Sequence, residues 1–590
     1  NAQNAEKLKA EKYISTQGEL TFTFQVNNHK DVEQFSRDFS IVNFDPKTNT
    51  VIAWANEQQF RTFEDKNIPF QVPVEENEVD ETLIYDVRPL HERNLRRPAT
   101  LTFPVNSYPT YAEYATHMQY FEDSHPTLVE TFSIGSTGQG DKELLFVKIS
   151  DNVGTDEQEP KLMLTSSMHG DEIAGYPMML TLIDYILTVY ADTGHADHAR
   201  VKNLVENAEL WINPSANPDG TYHNSASNTS VTSARRGNGN NIDLNRNYPD
   251  NVAGPHDDGY AYQTETLAFM ALADSNHFVI SANFHGGTEL VNYPFDNAYV
   301  SQYTHPDGDW FEHIGVEYAT HTQTDANAGS TAGAPYLYKA SYMTDDDDSN
   351  VYPSPGVTHG AEWYRVYGGR QDYMNFYHQC REITIELSDQ KILQESRLDD
   401  YWYYNRDALL DFLTQGTYGF RGTVVDDTTG NPIDATITVV GHDNYGSHTI
   451  TDISHGDYYR PIKAGTYDIL IEAPCYQSVT LTNQTISDYS TVNLGETRLN
   501  PGAAVPTGGN ASAVGSTTAT IDWNPQTGNT FDFRYREVGA PTWTTITGLT
   551  PNTYDITGLT VGLNYEAQVR SICGAFPASN YSDSILFTTL

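Results

Sequence analysis

The chain has 590 residues, 38% of them hydrophobic and 12% aromatic. This is the composition of packed globular domains, excludes a disordered chain, and exceeds what one core accommodates, so three or four domains are expected. A formal charge of −44 excludes nucleic acid as the default partner and favours cationic peptides, although acidity spread along a whole chain serves solubility first.

No apolar run reaches membrane-spanning length, and the polar start Asn1–Lys12 has no leader core. That leaves a cytosolic protein or one whose leader has been removed; the β-rich C-terminal third favours the second, a secreted, extracellular protein. Three cysteines, Cys380, Cys475 and Cys573, are too few for a disulfide framework and odd in number.

The first 85 residues alternate in type. Leu20–Val26 has the period of a strand, Asp31–Phe39 reads as a helix, Ser40–Asn43 and Val51–Ala55 as strands, Glu57–Lys66 as a helix and Pro69–Val74 as a last strand. This β-α-β-β-α-β order is that of a ferredoxin-like domain. A basic linker over 86–104 follows, with Arg88, Arg93, Arg96 and Arg97. A small domain ahead of a trypsin-sensitive linker reads as a propeptide that keeps the chain latent; an ordinary accessory domain with a solvated linker is the other reading.

Residues 105–414 alternate short apolar runs with longer helical patterns, the pattern of an α/β domain with a mixed central sheet. Leu144–Ile149, Lys161–Ser166, Leu210–Asn213, Phe278–Asn283 and Ile383–Leu387 read as buried strands, Tyr176–Tyr190 as the clearest helix, and Asp407–Leu413 as a closing helix ended by Gly416. From 418 the helical signal stops. An all-β module is expected over 418–499, then a Pro/Ala/Gly-rich linker and a second β module over 504–590, in which Trp523 fills a sandwich core. The two β modules are candidates for binding surface or protein partners and for holding the chain at a cell surface.

The chemistry-bearing residues fall at or just after the buried strands, where open α/β sheets place their ligands. His169 and Glu172 follow one strand, His285 follows another, and Glu386 lies in a third. Two imidazoles and a carboxylate compose a three-ligand zinc site with an open position, and a spare glutamate can accept a proton from water. Asn245-Arg246 and the pair Arg235-Arg236 offer amide and guanidinium groups suited to a substrate carboxylate. Tyr364 offers a phenol. The acidic run Asp345–Asp348 reads first as a solvated loop and second as a calcium loop.

Together, His169-Gly-Asp-Glu172, Asn217-Pro-Asp-Gly, Asp243-Leu-Asn-Arg-Asn-Tyr-Pro-Asp, His285-Gly-Gly, Asn292-Tyr-Pro-Phe-Asp296, Gly368-Gly-Arg-Gln371-Asp and Glu382-Ile-Thr-Ile-Glu-Leu-Ser388 resemble the zinc metallocarboxypeptidases, closest to the carboxypeptidase N/E-like, or regulatory, branch. The resemblance covers about residues 105–414, and the whole architecture is similar to that of secreted bacterial members. It implies zinc ligands His169, Glu172 and His285, and a general base Glu386, 22 residues after a substrate tyrosine Tyr364. It further implies an oxyanion arginine Arg236, nine residues before Asn245, with Arg235 a close competitor, and a terminal-carboxylate clamp of Asn245 and Arg246. The β modules look transthyretin-like and fibronectin type III-like, with Tyr565 in the place of a tyrosine corner.

In that branch an acid and a glutamine meet a basic C-terminal side chain, and Asp296 and Gln371 stand there, so release of C-terminal Lys or Arg is expected. Two departures bear on this: Arg370, able to pair with Asp296, and Glu289, an added charge near the metal loop. The rival readings are a zinc amidohydrolase of γ-linked or cell-wall peptides and a catalytically silent adhesion protein.

Overall fold

The computed structural model describes residues 2–85, 102–345, 355–526, 528–574 and 576–590. Most of the basic linker, with its four arginines, and Asp346–Asp348 lie outside the described residues. The chain forms two compact units, one of residues 1–419 with 444–447 and 461–463, the other of the remaining residues to 590.

The N-terminal part opens with a helix, Ala2–Gln17, that was not expected. Its buried positions Ala10, Tyr13 and Ile14 follow the three-four spacing of a helix face. Strands β1 (Glu19–Gln25), β2 (Ser40–Asp45), β3 (Thr50–Asn56) and β4 (Phe70–Gln71) form an antiparallel sheet in the order β2-β3-β1-β4. The helix Glu57–Asp65 has an Asn56/Gln59 capping box and packs Phe60 and Phe63 against Phe22.

One expected helix differs. Over 29–39 the backbone makes bonds such as Val32 N to His29 O, Phe35 N to Val32 O and Asp38 N to Phe35 O, so the segment winds tightly as successive turns. Phe35 and Phe39 are still buried, and packing is satisfied without a regular α-helix.

The following domain is built on an eight-stranded mixed sheet, β5 (Val129–Ser136), β6 (Glu143–Ile149), β7 (Lys161–Ser166), β8 (Glu209–Asn213), β9 (Phe278–His285), β10 (Thr288–Tyr293), β11 (Val357–His359) and β12 (Arg381–Ser388), in the order β11-β10-β12-β9-β7-β8-β6-β5. Strands β7, β8, β9 and β12 run parallel, and β10 runs antiparallel to β12. Every residue of β9, β10 and β12 is buried, as central strands covered on both faces require. The helices Tyr111–Ser124, Gly175–Ala191, Thr264–Ser275 and Gly308–Ala328 pack on the sheet, and the last helix, Leu398–Gln415, is longer than its expected core and is capped by Gly416.

Register positions the chemistry. His285, the last residue of β9, is the Cα partner of Glu386 on β12, and Ser166 ends β7 beside Phe284, three residues before His169. The turn carrying His169 is crowded: a Cβ on Gly170 would lie 2.4–2.6 Å from backbone atoms of Gly220, Thr221 and Arg235. Only glycine lets this turn approach the loop bearing the arginines.

The second unit is all β among its described residues. One module pairs a three-stranded sheet (Gly419–Asp426, Asp457–Arg460, Thr491–Leu499) with a four-stranded one (Thr436–Val439, Thr449–Ile450, Gly465–Glu472, Val479–Ile486). The other pairs Asn510–Val514, Thr518–Asp522 and Thr553–Thr557 with Thr530–Glu537, Thr544–Leu549, Asn564–Ile572 and Ile585–Thr588. Trp523 is buried between Phe531 and Phe533, and the Tyr565 hydroxyl accepts the Thr560 N–H at 3.0 Å. Cys475 and Cys573 are disulfide-bonded, and Cys380 is a buried free thiol.

Candidate metal centre and substrate cleft

The turn after β7 and the end of β9 bring three donor atoms into a triangle. His169 Nδ1 and His285 Nδ1 lie 3.0 Å apart, and Glu172 Oε2 lies 2.8 Å from the first and 2.9 Å from the second. All three side chains are buried. Tetrahedral zinc, with bonds of about 2.0–2.1 Å, holds ligand atoms roughly 3.3 Å apart, so a slight expansion of the triangle fits the ion. The outward ring nitrogens are also held: His169 Nε2 donates to Asp243 Oδ1 at 3.0 Å, and His285 Nε2 faces the Asn283 amide at 2.8 Å. Such outer partners set ring orientation and tautomer at metal sites.

Glu386 lines the same pocket, and its Oε2 is buried with no hydrogen-bond partner among the described residues. Burial and the neighbouring Glu172 charge hold its carboxyl well above the ordinary range, with Arg236 and Lys391 opposing. An orphaned buried carboxylate oxygen is costly and is expected where a water or a cation completes the site.

The loop after the helical turn at Asn217 supplies the guanidinium groups. Arg236 donates through Nε to Asp243 Oδ2 at 2.9 Å and through Nη1 to Glu172 Oε1 at 2.8 Å. Arg235 points elsewhere, to the carbonyls of Asn238 and Gln17, which separates the two candidates geometrically: Arg236 lines the pocket and Arg235 does not. Asn245 and Arg246 line it as well, as do Tyr364 and Asp296.

Asp243 ties these parts together. Besides His169 and Arg236 it accepts the Asn245 N–H at 2.9 Å. Burial alone would raise its carboxyl, but Arg236, His169 and Arg246 outweigh it and hold Asp243 well below the ordinary range. Sequence reasoning quoted Asp243 within a motif but gave it no task; its place two residues before Asn245 was the available signal.

Asp296 sits on the far wall. Its Oδ1 accepts from Asn292 Nδ2 at 3.1 Å and Gln371 Nε2 at 3.0 Å. Gln371 thus braces Asp296 from behind and is absent from the pocket lining. Burial pushes the Asp296 carboxyl up to about 7.

Both departures noted in the sequence are absorbed. Arg370 forks onto Glu382, at 2.9 Å and 3.1 Å, and not onto Asp296. Glu289 is buried against Lys339 at 2.6 Å and the Tyr401 hydroxyl at 3.0 Å. Of the acidic run, Asp345 accepts from Thr288 Oγ1 and the Glu289 N–H, and nothing among the described residues supports calcium there.

The sequence profile of the zinc carboxypeptidase family matches residues 114–408, and the chain belongs to this family of metallohydrolases. Among its relatives, human carboxypeptidase D is 36% identical over 372 residues, covering 62% of this chain and 25% of that protein. Rat carboxypeptidase N catalytic chain is 32% identical over 377 residues, covering 60% of this chain and 78% of that protein. The matched region is thus only a quarter of the length of carboxypeptidase D. Among solved structures, carboxypeptidase A from Helicoverpa armigera superposes with a TM-score of 0.49 at 17% identity, covering 68% of this chain and 98% of that one.

Asp243→Asn removes the charge that orients His169 and Arg236 while keeping size. Zinc affinity, measured by chelator competition, should fall about 10- to 100-fold with the fold intact by circular dichroism; unchanged affinity would contradict the role given to Asp243.

Proposed function

We propose that this chain is a zinc-dependent carboxypeptidase that removes C-terminal Lys or Arg from peptides and proteins. The observation that supports it most is the lining of a single pocket, where the His169–Glu172–His285 triangle, the orphaned Glu386, Arg236, the Asn245–Arg246 pair, Tyr364 and Asp296 meet. Zinc bound at the triangle supplies a Lewis acid and lowers the pKa of water toward 7.

The remaining chemistry belongs to the chain. Arg246 and Asn245 bind the terminal carboxylate and so select the last peptide bond. Arg236, fixed by Asp243, faces the scissile carbonyl and stabilises the oxyanion. Glu386 takes the proton from the attacking water and passes it to the leaving amine. Tyr364 closes over the bound residue, and Asp296, braced by Gln371, pairs with its ammonium or guanidinium.

The clamp favours α-carboxylate peptides over γ-linked ones, and the intact set of donors favours an enzyme over a silent adhesion protein. We read residues 1–85 as a propeptide and the chain as latent while they remain in place. Val42 lines the pocket, and the Ile41 and Val42 carbonyls accept from Arg246 and the Tyr364 hydroxyl, which supports that reading. The Cys475–Cys573 disulfide supports a secreted, extracellular protein. Among the described residues no helix is long and apolar enough to cross a membrane. The β modules fit the transthyretin-like and fibronectin type III-like readings, the second through its three-plus-four strand pairing and the Tyr565–Thr560 bond.

Glu386→Gln should lower kcat by about 1,000-fold or more while zinc content, read by mass spectrometry, stays at the wild-type level. Activity close to wild type would remove Glu386 as the base.

Only the ionised form of Asp296 attracts a cation, and its carboxyl sits at about 7. KM for a Lys- or Arg-terminated peptide should therefore fall as pH rises through neutrality, whereas KM for a Leu-terminated peptide should not follow. In Asp296→Asn that pH dependence should vanish and the basic preference with it; an Asn variant that still prefers Lys and Arg would contradict the specificity reading.

A further inference from the structure

In the proposed function a substrate's last residue is held at two points, its α-carboxylate at Asn245 and Arg246 and its cationic end at Asp296. Selectivity then depends on the separation of those points, and a misplacement of about 1 Å can cost roughly 100-fold in rate. The two points lie on different loops, 245–250 and 292–297. A third segment, 368–372, is bonded to both.

Toward the clamp, the Gly368 carbonyl accepts the Tyr248 N–H at 3.0 Å, and the Gly368 N–H donates to Asp250 Oδ2 at 3.1 Å. Gly368 has a φ of 67°, and a Cβ there would lie 2.4 Å from the Arg246 carbonyl oxygen, a conformation and an approach that glycine permits. The Arg370 N–H donates to Asn245 Oδ1 at 2.9 Å. With its oxygen so engaged, the Asn245 amide turns its nitrogen to a substrate carboxylate.

Toward the acid, the next two residues divide the work. Gln371 Nε2 holds the Asp296 side chain, at 3.0 Å from Oδ1. Asp372 holds its backbone: both carboxyl oxygens accept the Asp296 N–H, at 2.9 Å and 3.0 Å, and Oδ2 also accepts the Asn297 N–H at 2.9 Å. Asp250 closes the circuit, accepting Asn297 Nδ2 at 3.0 Å on the oxygen that also binds Gly368.

Asp372 is the informative member. It lies in the first turn of the helix Arg370–His378, where an acid ordinarily serves the helix's own N–H groups and dipole. Here it is buried, beside other acids, and bonded to a different loop. Burial, and the Asp296 charge after it, raise its carboxyl well above the ordinary range, with the Asp296 and Asn297 N–H groups opposing. An acid is therefore an unfavourable side chain at this place. What it offers over the isosteric amide is a second acceptor oxygen.

We propose that Asp372 is a positioning residue for selectivity toward basic C-terminal residues. It ties the Asp296–Asn297 backbone to the segment that also holds Asn245, and so sets the distance between clamp and acid. Asp372 does not line the pocket itself. The inference rests on Asp296 being the group that meets the cationic side chain.

The test compares the zinc-loaded full chain with its Asp372→Asn variant, by crystallography and by kinetics after trypsin treatment. The amide has one acceptor oxygen, so its nitrogen must face a backbone N–H. The Asp296 carboxylate should move by about 1 Å or more relative to Asn245, with His169, Glu172 and His285 in place. KM for Lys- and Arg-terminated peptides should rise roughly 10- to 100-fold with kcat little changed, while KM for a Leu-terminated peptide stays the same. A purely structural role would instead lower kcat on every peptide alike with KM unchanged, and that result would overturn the proposal. An unmoved Asp296 would overturn it too, and should no peptide be cleaved, the crystal comparison alone decides. A wild-type enzyme indifferent to Lys, Arg and Leu, with Asp296 displaced in the variant, would support the positioning and contradict the reading of basic specificity.

Discussion

The structure depends on keeping four acidic side chains, Glu172, Asp243, Asp296 and Glu386, in one buried region. Each buried charge costs several kcal/mol unless it is paired or hydrogen-bonded. The chain meets that cost unevenly. Asp243 has three hydrogen-bonding neighbours in the catalytic domain, Glu172 is shared between imidazoles and Arg236, and Asp296 leans on Asn292 and Gln371. Of the four, only Glu386 has a fully buried oxygen with no hydrogen-bond partner among the described residues. That imbalance suits a cation or a water, and Asp243, bonded through both oxygens, contrasts with Glu386, whose Oε2 is unpartnered among the described residues.

The same arithmetic explains why Arg370 and Glu289 do not disturb the cleft. A buried guanidinium needs a carboxylate close by, and Glu382 on the adjacent strand satisfies Arg370 with two bonds. Glu289 is matched by Lys339 in the same way. Neutralising each local charge leaves Asp296 as an acid facing the pocket without a lysine or arginine bonded to it, the condition for recognising a cationic side chain.

Much of the candidate site was legible in the sequence because strand periodicity places residues predictably. His169, His285 and Glu386 each sit at or just beyond an apolar run, and once those runs are parallel neighbours their ends converge. Other features depended on distant partners. The pairing of Arg370 was open because both Asp296 and Glu382 are nearby acids, and only helix placement on β12 decides between them. The segment 29–39 carries phenylalanines at helical spacing, yet bonds three residues apart wind it more tightly. The helix Ala2–Gln17 hides its few buried positions among polar ones. The docking of β2 is invisible in any local pattern, since an edge carbonyl has no residue type.

The N-terminal domain bonds to residues of the candidate site, through Ser40 to Asp243 and through Glu19 to the Arg236 backbone. Covering the cleft and holding its arginine loop are therefore one structural act.

The most direct measurement of the central claim is anomalous diffraction at the zinc edge from crystals of the zinc-loaded chain. The account predicts one strong peak per chain, about 2.0–2.2 Å from His169 Nδ1, His285 Nδ1 and a Glu172 oxygen. No peak there, or a peak held by other residues, would contradict it.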